Sequence, residues 1–188
     1  MQGWHINVQP VFLHPNLMYF SPMQTYRSET RNQSPSAPRE LLTFTLGKEE
    51  YGIDTLKVRE IRGHEPVTTI ANSPKFITGE IKLRGISITI MDMRIKFNLD
   101  NINHNKTTKI IILNVPHQIK GMVVDSVSDI VTLNSDQLIP VPECGVELDT
   151  PYLQGLGAVD ERMIKLMDIE KLMSSREIEL FRTQYIFT

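Results

Sequence analysis

Few residues in this chain have the types and spacing that chemistry requires. Asp92 and Asp168 each close a strand-like stretch, Ile88-Thr89-Ile90-Met91-Asp92 and Ile164-Lys165-Leu166-Met167-Asp168. Two carboxylates do acid–base work only when one site brings them together. Their matching places in two similar stretches fit another role better, an acid that caps the short helix after a strand. His64, His104 and His117 stand in polar, turn-like surroundings and read as solvated loop residues rather than ligands. Cys144 is flanked by Glu143 and Glu147, and no basic neighbour favours a thiolate there. No phosphate loop, dinucleotide glycine fingerprint, Gly-x-Ser-x-Gly elbow or His-Glu-x-x-His helix occurs. The expectation is a protein with no catalytic residues, no metal site and no cofactor.

Composition narrows the class further. The chain has 188 residues, 40% apolar and 22% charged, with 20 basic against 22 acidic side chains. A net charge of −2 supplies no basic field for a phosphate backbone, so nucleic-acid partners are not expected. Apolar runs are far shorter than the roughly 20 residues that span a bilayer, which argues against direct membrane insertion. One cysteine makes a disulfide scaffold impossible and fits a reducing cytoplasm.

The elements that position these residues are mostly strands. Residues 1–38 hold five of the eleven prolines and no lysine, without helical or strand period. They read as a poorly ordered N-terminal extension, with a partner-binding tail as the alternative. Beyond Arg39, Leu42, Phe44 and Leu46 alternate with Thr43 and Thr45, and Gly47 to Glu50 turn the chain into Tyr51-Gly52-Ile53. Asp54 is placed to cap a short helix reaching Val58. Period two returns at residues 86–90, and strands are predicted over 108–115 and 119–127 with a turn at Pro116-His117. A hairpin follows around Asp160-Glu161-Arg162. The end is helical, over 169–173 and again after Ser174-x-x-Glu177, a capping-box spacing.

A faint repeat organises these strands. Val58-Arg59-Glu60-Ile61 recurs as Val127-Ser128-Asp129-Ile130, and residues 88–94 recur as 164–170, at separations of about 69 and about 76 residues. Two similar small β-barrels follow, each too small for a generous core and therefore packed on the other.

The residues also carry a family resemblance. Phe44-Thr45-Leu46-Gly47-Lys48-Glu49-Glu50-Tyr51-Gly52-Ile53-Asp54, followed by Lys57-Val58-Arg59-Glu60-Ile61-Arg62-Gly63, closely resembles the start of CheW, the bacterial chemotaxis coupling family. Ordered blocks continue through Leu83-Arg84-Gly85, Met91-Asp92-Met93-Arg94, Gly121-x-Val123-Val124-Asp125, Tyr152-Leu153-x-Gly155-Leu156-Gly157 and Ile169-Glu170-Lys171-Leu172. The likeness runs from about 40 to 180. It implies a mainly β fold of two tandem five-stranded, Src-homology-like β-barrels sharing a hydrophobic core, with short helices and a C-terminal helix. Residues 39–182 would form that domain, as two intertwined subdomains, and 183–188 a C-terminal tail.

The resemblance also implies partners. CheW-like proteins bridge the cytoplasmic tips of methyl-accepting chemotaxis receptors to the histidine kinase CheA, at the inner face of the membrane and without catalysis. By matching position, Val58, Glu60 and Ile61 fall in a partner-contact segment, and Gly79, Leu83 and Arg84 around the family's signature arginine. Gly121 and Ile130 fall at second-barrel positions linked to the receptor groove. A helical receptor tip docks by laying an apolar face into a groove with charges at its rim. Val58 and Ile61 fit core positions as well as contact positions, and Gly79 and Gly121 fit backbone geometry alone. Lys82 stands where the family usually has asparagine, adding charge beside Arg84. A CheW-type paralogue serving a different kinase is the alternative reading, with an enzyme on this scaffold a distant third.

Overall fold

The computed structural model describes residues 37–100, 102–116, 118–140, 152–174 and 178. The expectations for residues 1–36, His117, Cys144, the Ser174–Glu177 capping box and the tail 183–188 lie outside those residues.

Two chain segments of the same design follow one another. In the first, β1 (Arg39–Leu46) and β2 (Glu49–Asp54) form a hairpin. A 3-10 turn, Thr55–Lys57, then leads into β3 (Val58–Gly63), β4 (Ile77–Leu83), β5 (Ile86–Asp92) and helix α1 (Met93–Lys96). In the second, the hairpin is β6 (Lys109–Val115) with β7 (Gln118–Val124). It continues through β8 (Ser126–Leu133), the two-residue β9 (Leu138–Ile139), β10 (Leu153–Val159), β11 (Arg162–Met167) and helix α2 (Ile169–Met173). The capping roles of three aspartates hold. Asp54 accepts the Leu56 amide at 2.9 Å, Asp92 the Arg94 amide at 3.0 Å and Asp168 the Lys171 amide at 3.0 Å.

One predicted strand is two. The sequence pattern runs unbroken from Ile119 through Val127, but the chain turns at Asp125, and Val127 belongs to β8. Residues 120–124 are all buried, Lys120 included, so the apolar run 121–124 has no polar phase to show where pairing changes. Tertiary bonds place the turn: the Asp125 amide donates to the Thr45 carbonyl at 3.1 Å, and its carboxylate accepts the Gly47 amide at 2.8 Å.

The repeat is real at the level of hydrogen-bond register, and its two copies are interleaved. One sheet has the order β8-β1-β2-β11-β10-β9, the other β3-β6-β7-β5-β4. Each is completed by the other repeat's hairpin. Within them the pairings correspond. Ile130 lies opposite Leu42 as Ile61 lies opposite Ile111, and the parallel pair Leu166–Gly52 matches Ile90–Gly121. Strands β8 and β9 stand at opposite ends of their sheet order yet are joined through a short 3-10 turn, Ser135–Gln137. Such a link requires the sheet to curl until its ends approach each other.

Burial explains why the halves depend on each other. Among the described residues, the barrel of β3–β7 holds seven buried apolar residues and the other barrel five, whereas the cluster between them holds eighteen. Hairpin strands serve both layers: Ile110 and Ile112 point into one barrel, while Ile111, Leu113 and Val115 join the shared cluster. Each fully buried aliphatic side chain contributes about 1.5–3 kcal/mol, so most of the hydrophobic stabilisation lies between the barrels. This is the shared core that the resemblance implied.

Candidate partner-binding surface

The strand β3 and the turn before it form the most exposed apolar edge of the first barrel. No residue of the turn Thr55–Lys57 is buried, and Leu56 at its centre is 84% exposed. Val58 is half-buried and packs against the shared core, whereas Ile61 is 43% exposed. Glu60 lies between them and accepts from Arg62 at 3.4 Å, while the Arg62 guanidinium makes its closer, two-nitrogen contact with Glu65. Those acids raise the Arg62 pKa, Glu65 most. Val58 therefore packs on the shared core with part of its surface still exposed, and Ile61 is not a core residue.

The β4–β5 hairpin places its three predicted residues differently. Gly79 has φ +154°, and a Cβ there would lie 2.3 Å from the Thr68 carbonyl oxygen. That close approach, beside the Thr68–Glu80 bridge, explains the glycine by backbone geometry. Leu83 is buried inside the first barrel. Arg84 and Gly85 have φ of +50° and +84° and make the two-residue turn that joins the strands. Arg84 is exposed and makes no ion pair among the described residues. Its hairpin neighbour Ile86 is 52% exposed, although strand alternation puts it on the same apolar face as the buried Ile88 and Ile90, because it stands at the open end beside the turn.

In the second half, Gly121 is buried at the centre of a sheet, where a Cβ would meet Ile90 Cδ1 at 2.4 Å. Ile130, by contrast, is 62% exposed on the edge strand β8. Ile61 and Ile130 thus occupy equivalent edge positions in two different sheets, and no single strand brings them together. The repeat itself was the signal that could have paired them.

The carboxylate beside Ile130 is tied down. Asp129 accepts from Arg162 Nη1 at 3.0 Å and Nη2 at 2.9 Å, and Arg162 also pairs with Glu50. Hydrogen bonds from Arg162, then from Thr43, lower the Asp129 pKa to about 2. Elsewhere, His64 and His104 are exposed, as expected, and stacked with ring centroids 4.0 Å apart. His104 Nδ1 lies 3.1 Å from Arg94 Nη2. Because a guanidinium only donates, Nδ1 is the acceptor. Among the described residues no group of three or more His, Cys, Asp or Glu is placed to hold a metal ion. No helix among them is long and apolar enough to cross a membrane.

Comparison with known proteins agrees with this architecture. The CheW-like domain family matches residues 40–177. The chain is 52% identical over 142 residues to the chemotaxis protein CheW of Klebsiella aerogenes, covering 76% of this chain and 86% of that protein. It is 34% identical over 155 residues to a probable chemotaxis protein CheW of Rhizobium etli, covering 82% and 98%. The crystal structure of the scaffolding protein TtCheW from Thermoanaerobacter tengcongensis superposes with a TM-score of 0.68 at 28% identity, over 74% of this chain and 95% of that one. With the family match spanning most of the chain and the two-sheet β fold in place, this protein belongs to the CheW family.

Proposed function

We propose that this protein is a non-enzymatic chemotaxis adaptor that couples the cytoplasmic tips of methyl-accepting receptors to the histidine kinase CheA, working at the cytoplasmic face of the membrane. The observation that carries this reading is the 52% identity to a chemotaxis CheW over most of both chains. The exposed side chains support it. Ile61 and Leu56 give an apolar edge of the kind that receives a helix face, Glu60 supplies charge beside it, and Arg84 is an exposed cation at the β4–β5 turn. Gly79, Leu83 and Gly121 act from beneath, by setting the backbone and packing that shape the surface. Ile130 is an apolar contact of the second barrel.

Co-sedimentation with receptor-containing membranes, with and without CheA, tests the proposal. The wild-type chain should pellet with receptors and strengthen CheA recruitment. Arg84→Ala should weaken receptor coupling by about 2 kcal/mol, roughly thirtyfold, if its contact is desolvated. Its unfolding midpoint should not move, because Arg84 is exposed. Lys82→Ala combined with Arg84→Ala should cost more than the single change, since Lys82 is a second exposed cation on β4. A wild-type chain that stays in the supernatant with both partners would sink the reading.

A further inference from the structure

Each short helix reaches out of its own repeat into the other. Arg94, the second residue of α1, donates to Asp125 in the turn before β8 at 3.3 Å. Glu170, the second residue of α2, pairs with Lys57 in the 3-10 turn before β3. The two helix residues are equivalent in the repeat with their charges reversed, and their partners sit one position apart, Asp125 matching Leu56 and Lys57 matching Ser126.

Their surroundings differ in a way that matters. Arg94 is 1% exposed, and its five N–H donors all find acceptors: Asp92 twice, His104, the Asn103 carbonyl and Asp125. That brace is locked by burial. The side chains of Lys57 and Glu170 are 37% and 44% exposed, and the turn they hold buries nothing. Besides the brace, local bonds hold that turn: Asp54 accepts the Leu56 amide, and the Val58 amide donates to the Thr55 carbonyl. Yet this turn presents Leu56, the most exposed large apolar side chain among the described residues.

We propose that Glu170 is a positioning residue for receptor docking: through Lys57 it fixes the turn that presents Leu56 to an apolar helix face of the receptor tip. This rests on the reading of the β3 edge as a docking surface. An exposed ion pair contributes little to global stability. Its loss frees a turn with no buried anchor, so the effect falls on binding and local order rather than on unfolding.

The test uses the full chain, receptor-containing membranes and CheA. Glu170→Gln should lower the apparent affinity for receptor-containing membranes about threefold and leave the melting temperature unchanged, while hydrogen exchange at the Leu56 amide accelerates. Lys57→Gln should do the same. The double variant should lose no more than either single one, because both remove one interaction. Wild-type binding and exchange in Glu170→Gln would overturn the inference, as would losses that simply add. Leu56→Asp separates this inference from the reading beneath it. If Leu56→Asp abolishes binding and Glu170→Gln leaves it intact, the positioning role fails and the docking surface stands. If Leu56→Asp binds like wild type, the docking surface fails and the positioning role with it.

Discussion

Arg162 links four neighbouring strands with one side chain. From β11 it reaches Glu50 on β2, Thr43 on β1 and Asp129 on β8. The equivalent positions of the first repeat are Ile86 for Arg162 and Glu60 for Asp129, so the clamp closes one barrel end, and Ile86 is left exposed at the other. Asp129 titrates at about 2 in the folded chain, with Arg162 the first cause. Its folded pKa lies below the unfolded one, so its contribution to stability is complete above the ordinary aspartate range. That contribution is lost as pH falls through the range toward the folded value. With side chains 34% and 49% exposed, solvent screening keeps the effect under about 1 kcal/mol. In Arg162→Gln, carboxyl-carbon NMR should show Asp129 moving up toward ordinary aspartate. An unchanged titration would mean that Thr43 and not Arg162 holds it. None of this could be read from sequence, because Glu50, Asp129 and Arg162 meet only after four strands have paired.

Helix α1 is one turn long, too short to be stable alone, and side-chain bonds at its start hold it. Asp92 caps it and also receives Nε and Nη2 of Arg94 at 2.9 and 2.7 Å, in a pair with almost no solvent exposure. Hydrogen bonding to Asp92 is the chief cause of a raised Arg94 pKa. Through Arg94 the helix also holds the loop at Asn103 and His104. Arg94→Met would leave the Asp92 carboxylate buried with no counter-charge, which costs about 3–5 kcal/mol. Denaturant unfolding should show that loss, and a change under 1 kcal/mol (roughly the value of a surface pair) would mean that water replaces the guanidinium. The cap was legible in the sequence, since an acid after a strand and before Met93 has a local partner. The ion pair hidden beneath it was not, because burial of an arginine depends on what packs over it.

At the scale of the whole molecule, the exchange of hairpins makes the two repeats one folding unit. Residues 39–100 alone would carry β3, β4 and β5 without the β6–β7 hairpin that joins them in one sheet. They would also lack most of the shared core. Expressed separately, this segment should show the narrow amide dispersion of an unfolded chain, and mixing it with residues 102–188 should restore native dispersion. A well-dispersed spectrum from the first segment alone would show that its hairpin can turn back onto its own strands.

What is local or periodic was legible along the chain. The β class, the hairpin turns, the capping roles of Asp54, Asp92 and Asp168, the internal repeat and the family motifs all follow from spacing along the chain. Arg84 at a tight turn was legible for the same reason, since Leu83-Arg84-Gly85 places a glycine where φ must be positive. Which hairpin completes which sheet is settled by long-range pairing in the folded chain. The same pairing covers Leu83 and Gly121 and leaves Leu56, Ile61 and Ile130 facing solvent. Alternation shows that a strand has an apolar face but not which sheet will cover it, and that choice is made by pairings between residues far apart in the chain.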